Sequence, residues 1–401
     1  MSDLKIIDGG VLAAKDFVAA AMNCGIKEDG VLDLVLIHSL RPAAAAATLT
    51  QNRFRAASTY VTEEAVADGN AQTIVANSGN ANCATGQQGM LDARRMAQLA
   101  GEATGVEPSE VIVCSTGSIG KPLPMDKLES GIPALGTQLS RENPETIARA
   151  IMTTDTRPKM SAVEFTVGGV PCRLGAIAKG AGMICPNMAT MLCFITTDLA
   201  IDASLLKDTL KWCVERSFNC ISVDGDMSTN DTVAILANGV AENPTLVYTE
   251  DPGYEHFKAA LAHVTQDLAR QIAFDGEGAS KALTIHVQDA ESFEQAREMG
   301  KAIANYNLLK TMLYGENFNW GRIAAAMGAT LVEFDPAKAF IEMQGITAWR
   351  NGERLPIDRA AADQTLKGHE IEIRVGLGTG DEEATVWSCD FTPDYVELNK
   401  H

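Results

Sequence analysis

The sequence has little of what marks a membrane, secreted or nucleic-acid-binding protein. No apolar run approaches the roughly 20 residues that span a bilayer. The N-terminal stretch Met1-Ser-Asp-Leu-Lys-Ile-Ile-Asp8 lacks the charged-then-apolar pattern of a secretory leader. Nine cysteines are scattered, odd in number and without a Cys-x-x-Cys pair. Reduced thiols in a cytoplasmic protein are therefore expected. None of the six histidines pairs with a second ligand at zinc spacing, so no metal is expected. Positive charge is in short supply: 33 Lys and Arg stand against 52 Asp and Glu, a net charge of −19. Nucleic acid and anionic membrane are poor partners for such a surface. Small substrates are unaffected, because a local basic pocket can sit on an acidic protein. Internal repeats, low-complexity stretches and flexible linkers are also missing.

What remains is an ordinary globular composition, 46% hydrophobic and 21% charged over 401 residues. That length suits two domains or one large α/β unit. Strand and helix patterns are interleaved through both halves, which predicts an α/β fold. Residues 31–40, 73–76, 110–114, 163–167 and 171–178 read as strands, as do 282–287, 371–375 and 384–390. Gly168-Gly169 reads as a hairpin turn. Residues 91–104, 142–152, 205–216, 255–273 and 291–304 read as helices. The clearest carries Phe257, Leu261, Val264, Leu268 and Ile272 at steps of three or four.

One stretch stands apart: Lys179-Gly180-Ala181-Gly182-Met183, then Pro186-Asn187-Met188-Ala189-Thr190, then an apolar run from Met191 to Ile195. It reads as a turn feeding a buried strand. On Ala189-Thr190 alone, Thr190 is an ordinary β-branched residue at the start of a strand. The chemical reading is a latent nucleophile. If the bond before it breaks, the freed α-amine, with a reference pKa of ~7.7–8.0, becomes a built-in base for its hydroxyl.

Other segments carry polar residues on tight backbone. Asn80-Ala81-Asn82-Cys83-Ala84-Thr85-Gly86 closes a strand. Ser115-Thr116-Gly117-Ser118-Ile119-Gly120 follows another, and such a turn projects backbone N–H groups toward a phosphate or an oxyanion. No Lys-Ser/Thr stands at the P-loop position, so the phosphate reading is poor. Thr153-Thr154-Asp155-Thr156 leaves a helix and is closed by Pro158. Ser222 to Asp231 is a polar acidic loop that departs from the EF-hand pattern. Glu277 sits between two glycines, and Asn399 ends Tyr395-Val-Glu-Leu-Asn399.

Taken together, these segments resemble the ornithine acetyltransferase family, the bifunctional glutamate N-acetyltransferases. The resemblance runs over nearly the whole chain in at least seven segments. It implies a layered αββα-type core with a second, smaller α/β domain. It implies self-cleavage at Ala189-Thr190 into chains 1–189 and 190–401, which stay associated, in a heterotetramer of two of each. Thr190 then takes the acetyl group of N-acetylornithine and passes it to glutamate, with Thr116 and Gly117 as oxyanion donors. Substrate contacts are implied for one of Thr153 and Thr154, and for Lys179, Thr190, Glu277 and Asn399. No cofactor is implied, although acetyl-CoA is an alternative donor. The segment at Asn80 is read equally well as a plain tight turn.

The charges fit: each substrate's α-carboxylate needs a cation such as Lys179, and the ornithine ammonium needs an anion such as Glu277. The family pattern continues past the asparagine with a terminal Ser or Thr. This sequence ends at Lys400-His401, so that contact is expected to be absent or substituted. Residues 304–311 and 316–320 depart from the family's Asn-Ser-Pro-Leu-Val-Lys-Thr and Asp-Pro-Asn-Trp and are expected to affect acceptor choice. Two other readings compete: an N-terminal-nucleophile amidohydrolase or aminopeptidase that passes the acyl group to water, and an uncleaved anion-binding protein.

Overall fold

The computed structural model describes residues 4–185 and 191–400. Ala189 and Thr190, the predicted cleavage site and nucleophile, lie outside the described residues. The chain forms two compact units. One comprises 1–180, 187–218 and 227–268, and the other 181–186, 219–226 and 269–401.

The first unit holds two sheets. The six-stranded one runs in the order Lys5–Ile6, Lys159–Val167, Val170–Lys179, Leu192–Thr197, Thr232–Ala237 and Ala44–Leu49. The four-stranded one runs Phe17–Met22, Leu34–Ser39, Thr73–Asn80 and Val111–Ser118. Side chains alternate across a strand, so each strand of the smaller sheet feeds two cores. Val35, Ile37, Ile74, Ala76, Ile112 and Cys114 face Ile177, Leu192, Phe194 and Ala234 of the larger sheet. Leu34, Leu36, Val75, Val111 and Val113 point the other way, onto Met96 and Leu99 of helix Gly86–Thr104 and Leu128 and Ile132 of helix Met125–Gly136. Beyond the larger sheet, Phe257 of helix Tyr254–Phe274 packs against Phe165, ring centroids 6.2 Å apart. Helix Ala203–Glu215 lies along Ala44–Leu49. The order helix, sheet, sheet, helix is the αββα layering expected.

The second, smaller unit carries one six-stranded sheet, in the order Glu353–Arg354, Ile346–Arg350, Phe340–Met343, Glu370–Gly376, Ala282–Ala290 and Glu382–Cys389. Helix Phe293–Ala304 covers it through Gly300, where a Cβ would come within 2.6 Å of Val386. No helix among the described residues is long and apolar enough to cross a membrane.

Most expected elements are present with longer bounds. The strand expected at 73–76 continues to Asn80. It continues because Val111–Ser118 runs beside it in parallel register, with an irregularity only at Gly79 and Asn80. Gly79 and Asn82 take positive φ there. Helices Ala57–Ala65, Met125–Gly136, Asn307–Tyr314 and Trp320–Gly328 were not anticipated.

Candidate active site

Within the first unit, strand register sets the geometry. Lys179 ends its strand directly opposite Leu192, and Thr232 lies opposite Leu192 on the other side. Lys179 is buried, not a surface lysine, and its Nζ donates to Thr116 Oγ1 at 3.3 Å. This contact joins the two sheets at one end. A hydroxyl that accepts from an ammonium uses a lone pair and keeps its own O–H to donate elsewhere.

Gly117 follows Thr116 with φ +133° and lies opposite Gly79, φ +99°. A Cβ on Gly117 would overlap the Gly79 backbone. Only glycine allows the two strands to approach so closely while Gly117 holds that conformation.

Asp155 organises the hydroxyl-rich turn. Its Oδ2 accepts the Thr153 N–H at 3.0 Å, and its Oδ1 accepts the Gly180 N–H at 2.7 Å and Lys159 Nζ at 2.6 Å. Both side chains of the Asp155–Lys159 pair are fully buried. Burial alone would raise the Asp155 pKa. The ammoniums of Lys179 and Lys159 and the Gly180 N–H outweigh it and hold the carboxyl below its ordinary range. Thr153 and Thr154 themselves are exposed. One carboxylate thus ties the threonine turn to the backbone just after Lys179.

Asp231, at the end of the acidic loop, is buried, and burial drives its pKa well above the ordinary carboxylate range against the pull of the Met191 N–H and Lys179. Its Oδ2 has no hydrogen-bond partner among the described residues. Asn230 beside it donates to the carbonyls of Ala81 and Ser115 at 2.6 and 2.8 Å, fixing both Asn- and Gly-rich strand ends.

Within the second unit, Glu277 and Asn399 are brought together. Asn399 Nδ2 donates to Glu277 Oε2 at 2.7 Å, and the Glu277 N–H donates to the Ala181 carbonyl at 2.9 Å. The Glu277 carboxylate occupies the space a Cβ on Gly182 would take. The flanking glycines are forced as well. A Cβ on Gly276 would lie 2.6 Å from Cys389 Sγ, and one on Gly278, φ +68°, would lie 2.6 Å from the Tyr395 nitrogen. Asp224 accepts the N–H groups of Met183 and Ile184 at 2.6 and 2.8 Å, gripping the glycine-rich segment. Tyr395 donates its hydroxyl to the same carboxylate at 3.3 Å.

Asp155, Asn230, Asp231 and Asp224 were not singled out from the sequence, although each lies inside a quoted motif. The signal available was an acidic or amide residue among glycines and threonines. Among the described residues, no group of three His, Cys, Asp or Glu side chains is placed to hold a metal.

The ArgJ family model matches residues 18–401. A protein of Symbiobacterium thermophilum named "Arginine biosynthesis bifunctional protein ArgJ" is 46% identical over 396 residues, covering 98% of each chain. One of the same name from Caldanaerobacter subterraneus subsp. tengcongensis is 44% identical over 402 residues, covering 99% of each. A crystal structure described as arginine biosynthesis bifunctional protein argJ from Bacillus halodurans is 38% identical with a TM-score of 0.50. It covers 52% of this chain and 97% of its own.

Proposed function

Because the chain belongs to the ArgJ family, we propose that it moves an acetyl group from N-acetylornithine to glutamate, through an acetyl ester on Thr190, after cutting itself at Ala189-Thr190. The observation that carries this reading is the Lys179–Thr116 contact together with the register of Lys179 opposite Leu192. The two bring Thr116, Lys179 and the strand that begins at Leu192 to one end of the first unit.

In the proposed sequence Thr190 Oγ attacks the Ala189 carbonyl and the peptide C–N bond breaks, leaving an ester and a free amine. Water hydrolyses the ester. The Thr190 amine then takes the hydroxyl proton as Oγ attacks the acetyl carbonyl. The tetrahedral oxyanion is held by Thr116 and the Gly117 N–H, and losing one such donor typically costs ~2.7–4 kcal/mol of barrier. Ornithine leaves with the proton, and the glutamate amine accepts the acetyl group. Lys179 binds the α-carboxylate, one of Thr153 and Thr154 contacts substrate, and Glu277 with Asn399 receives the ornithine ammonium. No step requires a metal or cofactor.

The solved relative supports the cut: its chain is nearly wholly matched yet spans about half of this one, whereas the curated relatives match end to end. We further propose a cytoplasmic heterotetramer of two chains of each kind. The word "bifunctional" in the relatives' names favours acetyl-CoA as a second donor.

The test is a denaturing gel with an acetyl-transfer assay. Wild type is expected as two fragments near half the full mass of 42.7 kDa, and Thr190→Ala as one inactive chain. Acetyl from acetylornithine should appear on glutamate. Free acetate released at a rate independent of glutamate would favour the hydrolase reading, and an intact backbone in active protein would overturn the mechanism.

A further inference from the structure

We propose that Lys27 is a positioning residue for the acetyl transfer, one that locks the Met152–Asp155 turn against the Gly79–Gly117 strand pair. The inference rests on the reading of Thr116, Gly117 and that turn as the site of acyl transfer.

The geometry belongs wholly to the first unit. Lys27 lies in a loop built around Asp33, whose carboxylate accepts the backbone N–H groups of Cys24, Gly25, Ile26 and Lys27 at 2.7–3.1 Å. Four donors on one buried carboxylate fix the backbone from which Lys27 departs. Its stem then passes over Gly79, where an added Cβ would lie 3.0 Å from Lys27 Cγ. Gly79 is the residue against which Gly117 is pressed. The ammonium continues to the Met152 carbonyl at 2.5 Å and the Leu32 carbonyl at 3.0 Å. Met152 immediately precedes Thr153, whose N–H is held by Asp155. One side chain therefore backs the oxyanion glycine with its methylenes and anchors the substrate turn with its charge. A ~1 Å displacement of such groups can cost on the order of 10²-fold in rate.

Three charged groups act on this ammonium, and a fourth, Lys127, reaches its loop. Asp33 belongs to its own loop. Lys127 of helix Met125–Gly136 donates to the Gly25 carbonyl. Asp155 comes from the turn and Lys179 from the end of its strand. Burial, with Lys179 adding to it against the pull of the two carboxylates, lowers the Lys27 pKa to about 8. The charge that holds the turn is consequently lost within an accessible pH range, and arginine in its place would not lose it.

The experiment compares wild type with Lys27→Met and Lys27→Arg, each cleaved on a denaturing gel, in steady-state transfer from acetylornithine to glutamate between pH 6 and 10. Lys27→Met is expected to lower kcat by roughly 10- to 100-fold with smaller changes in KM. Lys27→Arg should restore most of that loss, and its rate should not show the fall above pH 8 expected of wild type. If Lys27→Met fails to mature, the Lys27→Arg profile decides alone. A Lys27→Arg profile superimposed on wild type, or a Lys27→Met enzyme with unchanged kcat, would overturn the proposal. Failure of wild type itself to transfer acetyl would instead remove the underlying reading, so the two failures are distinguishable.

Discussion

Glycine carries more of this site than any charged residue does. Gly117 holds φ +133° against the Gly79 backbone, so Gly117→Ala combines a strained conformation with a backbone overlap. The variant is expected to lose more than ~3 kcal/mol or to be insoluble, which urea denaturation or expression yield would show. Gly182 is a different case. Its conformation suits any residue, and the obstacle is the mobile end of Glu277. Gly182→Ala should keep stability within ~1 kcal/mol of wild type while displacing the carboxylate. A raised KM for acetylornithine with an unchanged melting temperature is the expected signature. These glycines were visible in the sequence as motifs, but their reasons were not. Nothing local tells that Gly276 faces a cysteine, or that Glu277 fills the place of a Gly182 side chain, because each contact joins distant positions. Lys27 shows the same limit, since its partner carbonyl at Met152 is 125 residues away.

At the scale of elements, the turn after helix Pro144–Ala150 is held by one carboxylate that binds two N–H groups and an ammonium. Asp155→Asn would remove the charge paired with buried Lys159, and breaking a buried pair typically costs about 3–5 kcal/mol. The pH dependence follows from the lowered pKa of Asp155. Its contribution is fully present above the unfolded carboxylate value of ~3.9 and is lost as pH falls through the lower folded value. The stability gap between wild type and Asp155→Asn, measured by chemical denaturation, should therefore narrow only below about pH 4. The elements themselves were largely legible. Alternation marked 163–167 and 171–178 with the glycine pair between them, and the structure pairs Lys159–Val167 with Val170–Lys179 in that hairpin. Short helices such as Ala57–Ala65 were not legible, because their apolar stripe is made of small and hydroxyl residues with weak periodicity. Strand order was equally hidden: Ala44–Leu49 pairs with Thr232–Ala237 almost 190 positions later.

At the scale of the whole molecule, the proposed cut separates neighbours within one sheet. Lys5–Ile6, Lys159–Val167 and Val170–Lys179 would belong to the first product. Leu192–Thr197 and Thr232–Ala237 would belong to the second, and Ala44–Leu49 to the first again. The second product's two strands are thus hydrogen-bonded to the first product on both sides. The fragments are expected to co-elute in native size-exclusion chromatography and to part only in denaturant.

That interleaving has a consequence for how the protein is made and lost. The paired strands from opposite sides of the cut find one another while a single chain tethers them, and the tether is gone once maturation is complete. Mature protein should therefore melt with a scan-rate-dependent midpoint and fail to regain its fold on cooling, whereas the uncut Thr190→Ala chain should renature. Each molecule would be assembled once, and its working lifetime set by how slowly it comes apart.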